Sequence, residues 1–385
     1  MFRLGHYIDA IIRMKILKTL ILFFSLAFTA LLLIYLLVMR FVPAFGGDLT
    51  AEQKQQFKQQ ENFQNGKFVN RRAVPEPLNL AKFFELGYAF FTTKVVNGKP
   101  ATAPEVITID KTEMEQYTET RLFWFGHSTF LVQHQGKNIL IDPMFGQVPA
   151  PMDFLGDKRF NDSLPLPPQD LPKIDYVVFS HDHYDHLDYQ SVLQIKDKVG
   201  QFLCPLGLGN HLRRWGVEED KIIELNWWEE KKSEAFSFAC TPAQHFSGRK
   251  FSNGQETLWA SWVIQAEGLS LYFSGDSGYD THFKSIGEKY GPFDLALVEC
   301  GQYNKLWPDV HMFPQETVQA GIDLKAEKII PIHWGAFKLA MHSWNEPPLV
   351  AAKEAKEKGI PIVIPKIGQA IQLDSLATTQ SEWYK

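Results

Sequence analysis

The nine residues Ser180-His181-Asp182-His183-Tyr184-Asp185-His186-Leu187-Asp188 narrow the folds open to this chain more than any other stretch. They follow an apolar run, Tyr176-Val177-Val178-Phe179, that reads as a β-strand, and they supply three imidazoles and three carboxylates. A loop leaving a strand end can fan side chains toward one point, and imidazoles alternating with carboxylates at this density are metal-ligand chemistry. A lone histidine is more often a surface or packed core residue; this group has no comparable packing job. Three further apolar runs end on ligand-type residues. Phe236-Ser237-Phe238-Ala239-Cys240 leads through Thr241-Pro242-Ala243-Gln244 to His245, Leu271-Tyr272-Phe273-Ser274-Gly275 to Asp276, and Lys328-Ile329-Ile330-Pro331-Ile332 to His333. Strand-end loops are where sites assemble, so the shared placement predicts that these groups converge.

Around these runs the pattern alternates strands with helices. Strands are expected at 121–125, 129–134 and 137–141, the last two joined by Gln135-Gly136 as a hairpin, and at 175–180, 236–240, 259–265, 269–274, 295–299 and 328–332. Helical patterns occupy 189–199, 208–215, 313–324 and 349–358. No short-period repeat is present. With 385 residues, 45% of them hydrophobic and 22% charged, the chain is neither disordered nor a multi-span membrane protein.

One end departs from that average. Residues 19–39 form 21 consecutive uncharged positions dominated by Leu, Ile, Phe and Val, enough to cross a hydrocarbon core of about 30 Å as a helix. The run is longer than a signal-peptide centre and leads into Arg40-Phe41-Val42-Pro43, so an uncleaved signal anchor is expected, with a cleaved signal or a buried core helix as alternatives. Arg13, Lys15 and Lys18 precede the span and Arg40 follows it, which places the N-terminus in the cytoplasm and the rest in the periplasm or otherwise outside. Residues 41–385 carry 34 basic against 43 acidic groups, so nucleic acid is not expected as a partner. Cys204, Cys240 and Cys300 are too few for a disulfide framework; buried inert thiols are favoured over one bridge with a leftover thiol. The Gln- and Lys-rich residues 50–64 read as a solvated helix or spacer, with a plain linker favoured, and the apolar cluster in 79–91 (Leu80, Phe83, Phe84, Phe90, Phe91) reads equally as a docked helix or a membrane contact. The expected organisation is 1–40 cytoplasmic tail and transmembrane anchor, 41–110 spacer and extension, and 111–385 catalytic domain.

His181-x-His183-x-Asp185-His186, then His245, Asp276 and His333, resemble the zinc-ligand series of the metallo-β-lactamase superfamily. Within it, the motifs at 181–188, 241–245 (Thr-Pro-Ala-Gln-His), 258–262 (Leu-Trp-Ala-Ser-Trp), 274–279 (Ser-Gly-Asp-Ser-Gly-Tyr) and 333–337 (His-Trp-Gly-Ala-Phe) are similar to the N-acyl-phosphatidylethanolamine-hydrolysing phospholipase D group. Trp124-Phe125-Gly126-His127-Ser128-Thr129 and Ile141-Asp142-Pro143 match its early strands, and the likeness runs over about 121–371. The resemblance implies an α+β fold, an αββα sandwich of two mixed sheets with outer helices and metals at one sheet edge. It implies one zinc on His181, His183 and His245, another on Asp185, His186 and His333, and a bridging Asp276. The run Glu299-Cys300-Gly301-Gln302-Tyr303 departs from the group's more apolar pattern on the expected substrate side, which weakens the substrate inference and leaves the metal inference intact.

Five imidazoles and two carboxylates suit two Zn²⁺ ions better than Ca²⁺ or Mg²⁺, while iron or manganese can use the same donors. Such a pair lowers the pKa of a shared water, so a metal-bridging hydroxide replaces a Ser or Cys nucleophile. The implied activity is a membrane-anchored phosphodiesterase acting on N-acyl-phosphatidylethanolamine-like lipids, with Asp185, Asp276 and His311 as catalytic residues. A lactonase or small phosphoester hydrolase is the alternative enzyme, a metal-binding scaffold the non-enzyme one, and an RNA-processing nuclease is disfavoured by the acidic body. Asp142, Asp182 and Asp188 are candidates to orient the imidazoles, and His127, His311 and Tyr303 to line the substrate side. His6, His134, His211, His282 and His342 are assigned to the surface.

Overall fold

The computed structural model describes residues 2–73, 80–115, 117, 119–250, 252–373 and 382–385; of residues 2–10, 80–83, 91 and 115 the backbone alone is described. The chain forms two compact units, Met1–Phe45 and Gly46–Lys385.

The first unit is helix α1 (Phe2–Phe41) followed by a short turn. Ile11–Phe41 is long and apolar enough to cross a membrane, and none of its residues is buried. The exposure fits a membrane span or a signal sequence and removes the core-helix alternative, because a core helix buries its apolar side chains.

The second unit opens with α2 (Ala51–Phe57), the ribbon β1 (Phe63–Gln64) and β2 (Lys67–Phe68), α3 (Leu80–Thr92) and α4 (Lys111–Glu115). Helix α2 starts on a capping box, Thr50 Oγ1 accepting from Gln53 N and Gln53 returning the bond. Over residues 46–73 the stretch expected as spacer joins the core: Phe57, Phe63 and Phe68 are buried and pack ring against ring. Their spacing follows neither a helical nor a strand period, so the composition read as solvated.

Strands β3 (Arg121–Trp124), β4 (Phe130–His134), β5 (Lys137–Ile141) and β6 (Ile174–Val178) come next. The β4–β5 hairpin turns where expected, with Gln135 and Gly136 both at positive φ, the geometry of a two-residue turn matched to strand twist. Then follow α5 (Tyr189–Ile195), β7 (Val199–Pro205), α6 (Gly209–Arg214), β8 (Ile222–Leu225), β9 (Glu230–Lys232), β10 (Ser237–Thr241), β11 (Ser261–Ala266), β12 (Leu269–Phe273), α7 (His282–Lys289), β13 (Leu295–Glu299), α8 (Pro314–Asp323), β14 (Ile329–Ile332), α9 (Glu346–Lys358) and β15 (Ala370–Gln372). Strands β1, β2, β7, β8, β9 and β15 and helices α4 and α7 were not foreseen, and the helix expected over 189–199 stops at Ile195. Gly200 and Pro205 weaken the strand signal of β7, yet Gly200 is what allows its backbone to lie against the Asp175 carbonyl.

Seven strands order as β15-β3-β4-β5-β6-β7-β8 and six as β14-β13-β12-β11-β10-β9. Both sheets are mixed: β5 to β8 run parallel in one, β12 to β14 in the other. Val132, Ile139, Ile141 and Val178 from the first sheet share a core with Phe238, Trp262, Leu271 and Phe273 from the second. Helices α5 and α6 cover the outer face of the first sheet through Val192, Ile195 and Leu212, and α8 and α9 cover the second through Val318, Ala351 and Ala355. The result is the expected αββα sandwich.

Candidate metal centre

Strands β5, β6, β10, β12, β13 and β14 all release their C-terminal ends at one edge of the sandwich, β5 with β6 and β12 to β14 through parallel pairings, and β10 with β12 through two antiparallel steps across β11. The two edges are tied together: Ala260 N donates to Ser180 O at 2.9 Å and Trp262 Nε1 to Phe179 O at 2.9 Å. Gly275, at φ +58°, sits where a Cβ would lie 2.7 Å from Ser180 Cβ, so the β12 loop can approach the β6 loop only as glycine. Three residues of the site, His127, Asp142 and His333, also hold positive φ, the local strain that functional sites concentrate.

The expected residues converge. His181, His183, His245 and Asp276 offer ligand atoms within 4.8 Å of one another, and so do His127, Asp185, His186 and His333. In the first group His181 Nε2 lies 2.9 Å and His245 Nε2 3.2 Å from His183 Nδ1. Asp276 reaches both groups. Its Oδ2 is 3.8 Å from His181 Nε2, 3.8 Å from His245 Nε2 and 3.1 Å from His333 Nε2, and its Oδ1 is 3.1 Å from His186 Nε2. Asp185 Oδ2 lies 3.2 Å from His333 Nε2 and 3.4 Å from His186 Nε2.

These contacts fit a divalent cation. Nitrogen donors about 2.0–2.1 Å from a tetrahedral ion lie about 3.3–3.4 Å apart, close to the spacings here. His186 Nε2 and Asp276 Oδ1, both buried, make no hydrogen bond among the described residues, and a cation would satisfy both. Burial and the neighbouring imidazoles hold His181 well below the ordinary histidine range, and burial outweighs nearby carboxylates at His245, so both rings are neutral donors. At His333 burial opposes charge, but Asp276, Asp185 and Glu299 outweigh it and push the pKa up to about 10. Asp276, despite burial, is held well below the carboxylate range by His186 and His333.

The second ring nitrogens are oriented in turn. His181 Nδ1 contacts Ser180 Oγ at 3.0 Å, His186 Nδ1 contacts Asp142 Oδ2 at 2.7 Å, and His245 Nδ1 lies 3.0 Å from Val310 O. Asp142 is itself fixed by Ser180 N at 2.7 Å and Ser180 Oγ at 2.5 Å. Partners of this kind set the tautomer and aim of a ligand. His127 is fully buried with Nε2 2.8 Å from Asp185 Oδ2, and burial drops its pKa to about 3. Asp182 turns away to brace the 248–257 loop, accepting from Gly248 N at 2.7 Å and Thr257 Oγ1 at 2.8 Å. Asp188 caps α5 by accepting from Ser191 N at 2.8 Å. Tyr303 is not brought into either group; its hydroxyl donates to Glu346 Oε1 at 2.7 Å and its ring stacks on His342.

Histidines expected at the surface are partly corrected. His134, His211 and His282 are buried, held respectively by Thr120 Oγ1 at 2.6 Å, Asp182 Oδ2 at 3.3 Å and Ser277 Oγ at 3.3 Å; His342 is partly buried, and the side chain of His6 lies outside the described residues. Thr120 and Asp182, 14 and 29 residues from their histidines, leave no local pattern, whereas Ser277 lies five residues before His282. All three cysteines are free and buried.

The sequence reading named Glu299 only within a run that departs from the family pattern and gave it no role in the site. It ends β13 fully buried, with Oε1 2.6 Å from His311 Nδ1 and 3.5 Å from His333 Nδ1, while Oε2 accepts from Ser277 N at 3.0 Å. His311 stacks on His333 at 5.2 Å and forms a third donor group with Asp276 and His333. Glu299 carries the same signature that revealed Asp276 and His333, an apolar run ending on a ligand-type residue.

An αββα sandwich with two adjoining His/Asp donor groups at one edge defines a metal-dependent hydrolase of the metallo-β-lactamase fold. Residues 137–334 match the family model described as a beta-lactamase superfamily domain, and the chain belongs to that superfamily. It is 37% identical over 339 residues to an uncharacterised protein of Mycobacterium tuberculosis, covering 86% of this chain and 89% of that one. It is 36% identical over 252 residues to the N-acyl-phosphatidylethanolamine-hydrolysing phospholipase D 1 of Caenorhabditis elegans, covering 62% of this chain and 70% of the relative. A metallo hydrolase from the archaeon Ignicoccus hospitalis shares the fold with a TM-score of 0.50 at 24% identity, over 66% of this chain and 98% of its own.

Proposed function

We propose that this protein is a membrane-anchored dinuclear zinc phosphodiesterase that cleaves the headgroup bond of N-acyl-phosphatidylethanolamine-like lipids. The observation that carries the reading is Asp276, which reaches both histidine groups: its Oδ1 faces His186 at 3.1 Å, and its Oδ2 lies 3.1 Å from His333 and 3.8 Å from His181 and His245. His181, His183 and His245 would hold one ion, Asp185, His186 and His333 the other, and Asp276 both; the nitrogen-rich donor set favours zinc, with iron and manganese able to use it. Two such ions supply Lewis acidity and a water acidic enough to act as nucleophile at neutral pH. Asp142 and Ser180 keep the His186 and His181 rings aimed. With Nδ1 of His311 facing Glu299, its Nε2 is the atom that can hold a proton for the departing oxygen.

A lipid substrate is supported by the Caenorhabditis elegans relative, whose name gives that substrate, and by the surface beside the site. Phe84 and Tyr88 on α3 are 65% and 73% exposed, and Phe90 stacks on Trp307, four positions before His311. Exposed aromatic and apolar side chains gathered on a helix are the means by which proteins enter a lipid interface, and the expected span at 19–39 would hold the unit near one. Zinc-loaded full-length protein is expected to release phosphatidic acid from N-acyl-phosphatidylethanolamine vesicles. Asp276→Asn should lose both metal and turnover. Hydrolysis of lactones without any phosphatidic acid would overturn the lipid reading in favour of the lactonase alternative.

A further inference from the structure

His245 sits in the connection over residues 242–260, which contains no strand or helix among its described residues. A ligand on so long a loop needs to be held from outside. Its ring is held by Val310 O, and its peptide is held by Asn70: His245 N donates to Asn70 Oδ1 at 3.1 Å, and Asn70 Nδ2 donates to His245 O at 2.7 Å. One carboxamide thus satisfies both backbone groups of the residue, as a neighbouring strand would. Asn70 is itself placed. Trp259 Nε1 donates to Asn70 Oδ1 at 3.0 Å, Phe68 N to Gln255 O at 2.8 Å, and Gln244 Nε2 to Arg72 O at 2.9 Å. Two residues on, Arg72 pairs with Asp309 at 3.1 Å, on the loop that carries Val310 and His311. The strap over 68–72 lies outside residues 137–334 that match the superfamily domain.

We propose that Asn70 is a positioning residue of the metal centre: it fixes the His245 peptide and thereby governs how firmly the group of His181, His183, His245 and Asp276 retains its ion. The inference rests on the reading of that group as a metal site. Only an amide of this length offers an acceptor to His245 N and a donor to His245 O together.

The test is zinc stoichiometry and the rate of zinc loss to a chelator, measured on full-length zinc-loaded protein without reference to any substrate. Asn70→Ala is expected to drop from two zinc ions per chain toward one and to release that ion about 10–100-fold faster. Asn62→Ala removes a strap bond to Asn226 (2.9 Å) that touches no ligand, and should lower thermal stability while keeping both ions. Should Asn70→Ala fail to fold, Asn70→Asp, which keeps the acceptor for His245 N but sets a charged oxygen against His245 O in place of the donor, is expected to show the same selective loss. Two ions retained at the parental rate in the Asn70 variant, or equal loss from the Asn70 and Asn62 variants, would overturn the proposal. A parental protein that binds no zinc pair would instead overturn the dinuclear reading.

Discussion

At the scale of single residues, Glu299 joins more of the site's parts than its place in the sequence suggests. A carboxylate with no exposed surface is costly unless every lone pair is used, and here Ser277 N, Met312 N, His311 and His333 surround it. An imidazole backed by a carboxylate is fixed in tautomer and direction, and loss of such a partner typically costs about 10–100-fold in activity or metal affinity. Glu299→Gln preserves the volume and one acceptor oxygen but removes the charge and sets an amide NH₂ among groups that donate. A fall in kcat of about that size is expected at constant, verified metal content, with KM little changed; steady-state kinetics that match the parent would show that His311 needs no carboxylate behind it. Asp142 plays the corresponding part for His186, but it sits on the early β5 edge, where the sequence motif around it already drew attention.

Elements show why some of the molecule was legible and some was not. Strands β5, β6, β13 and β14 read correctly because a strand buried on both faces is a continuous apolar run, and parallel pairing then forces their ends, with Asp142, His181, Glu299 and His333 just beyond or at them, to one edge. Strand β7 was not foreseen because Gly200 and Pro205 dilute its pattern. The ribbon β1–β2 was missed because Phe57, Phe63 and Phe68 are set among Gln, Lys and Asn at a spacing that matches no regular period. Partners such as Asn70 with His245, 175 residues apart, have no signature in a single sequence. The ribbon nevertheless belongs to the core: Phe68 is fully buried against Phe57 at 5.4 Å and Phe63 at 4.8 Å between ring centres. Phe68→Ala should therefore cost about 3–5 kcal/mol of unfolding free energy, the usual range for emptying a closed aromatic site. Denaturant unfolding is the measurement, and a loss under about 1 kcal/mol would mean that residues 46–73 ride on the surface instead of completing the fold.

Across the whole molecule, charge and hydropathy divide at the same point as the compact units. Basic groups exceed acidic ones before residue 41 and acidic groups exceed basic ones after it, while the uncharged run at 19–39, about 31 Å long as a helix, matches a hydrocarbon core. We propose that the N-terminus is cytoplasmic, because Arg13, Lys15 and Lys18 precede the run and cytoplasmic flanks hold the surplus of Lys and Arg. The three native thiols make a direct test possible, because all are buried and burial raises Cys204 and Cys240 well above the ordinary thiol range, leaving them unreactive. Val96→Cys, at a position 84% exposed in the second unit, should react with a membrane-impermeant maleimide added to intact cells whose outer barrier has been opened. Met14→Cys, on the basic flank of α1, should react only after lysis. The reverse pattern would invert the topology, and labelled Val96→Cys protein recovered in the soluble fraction would make the run a cleaved signal in place of an anchor.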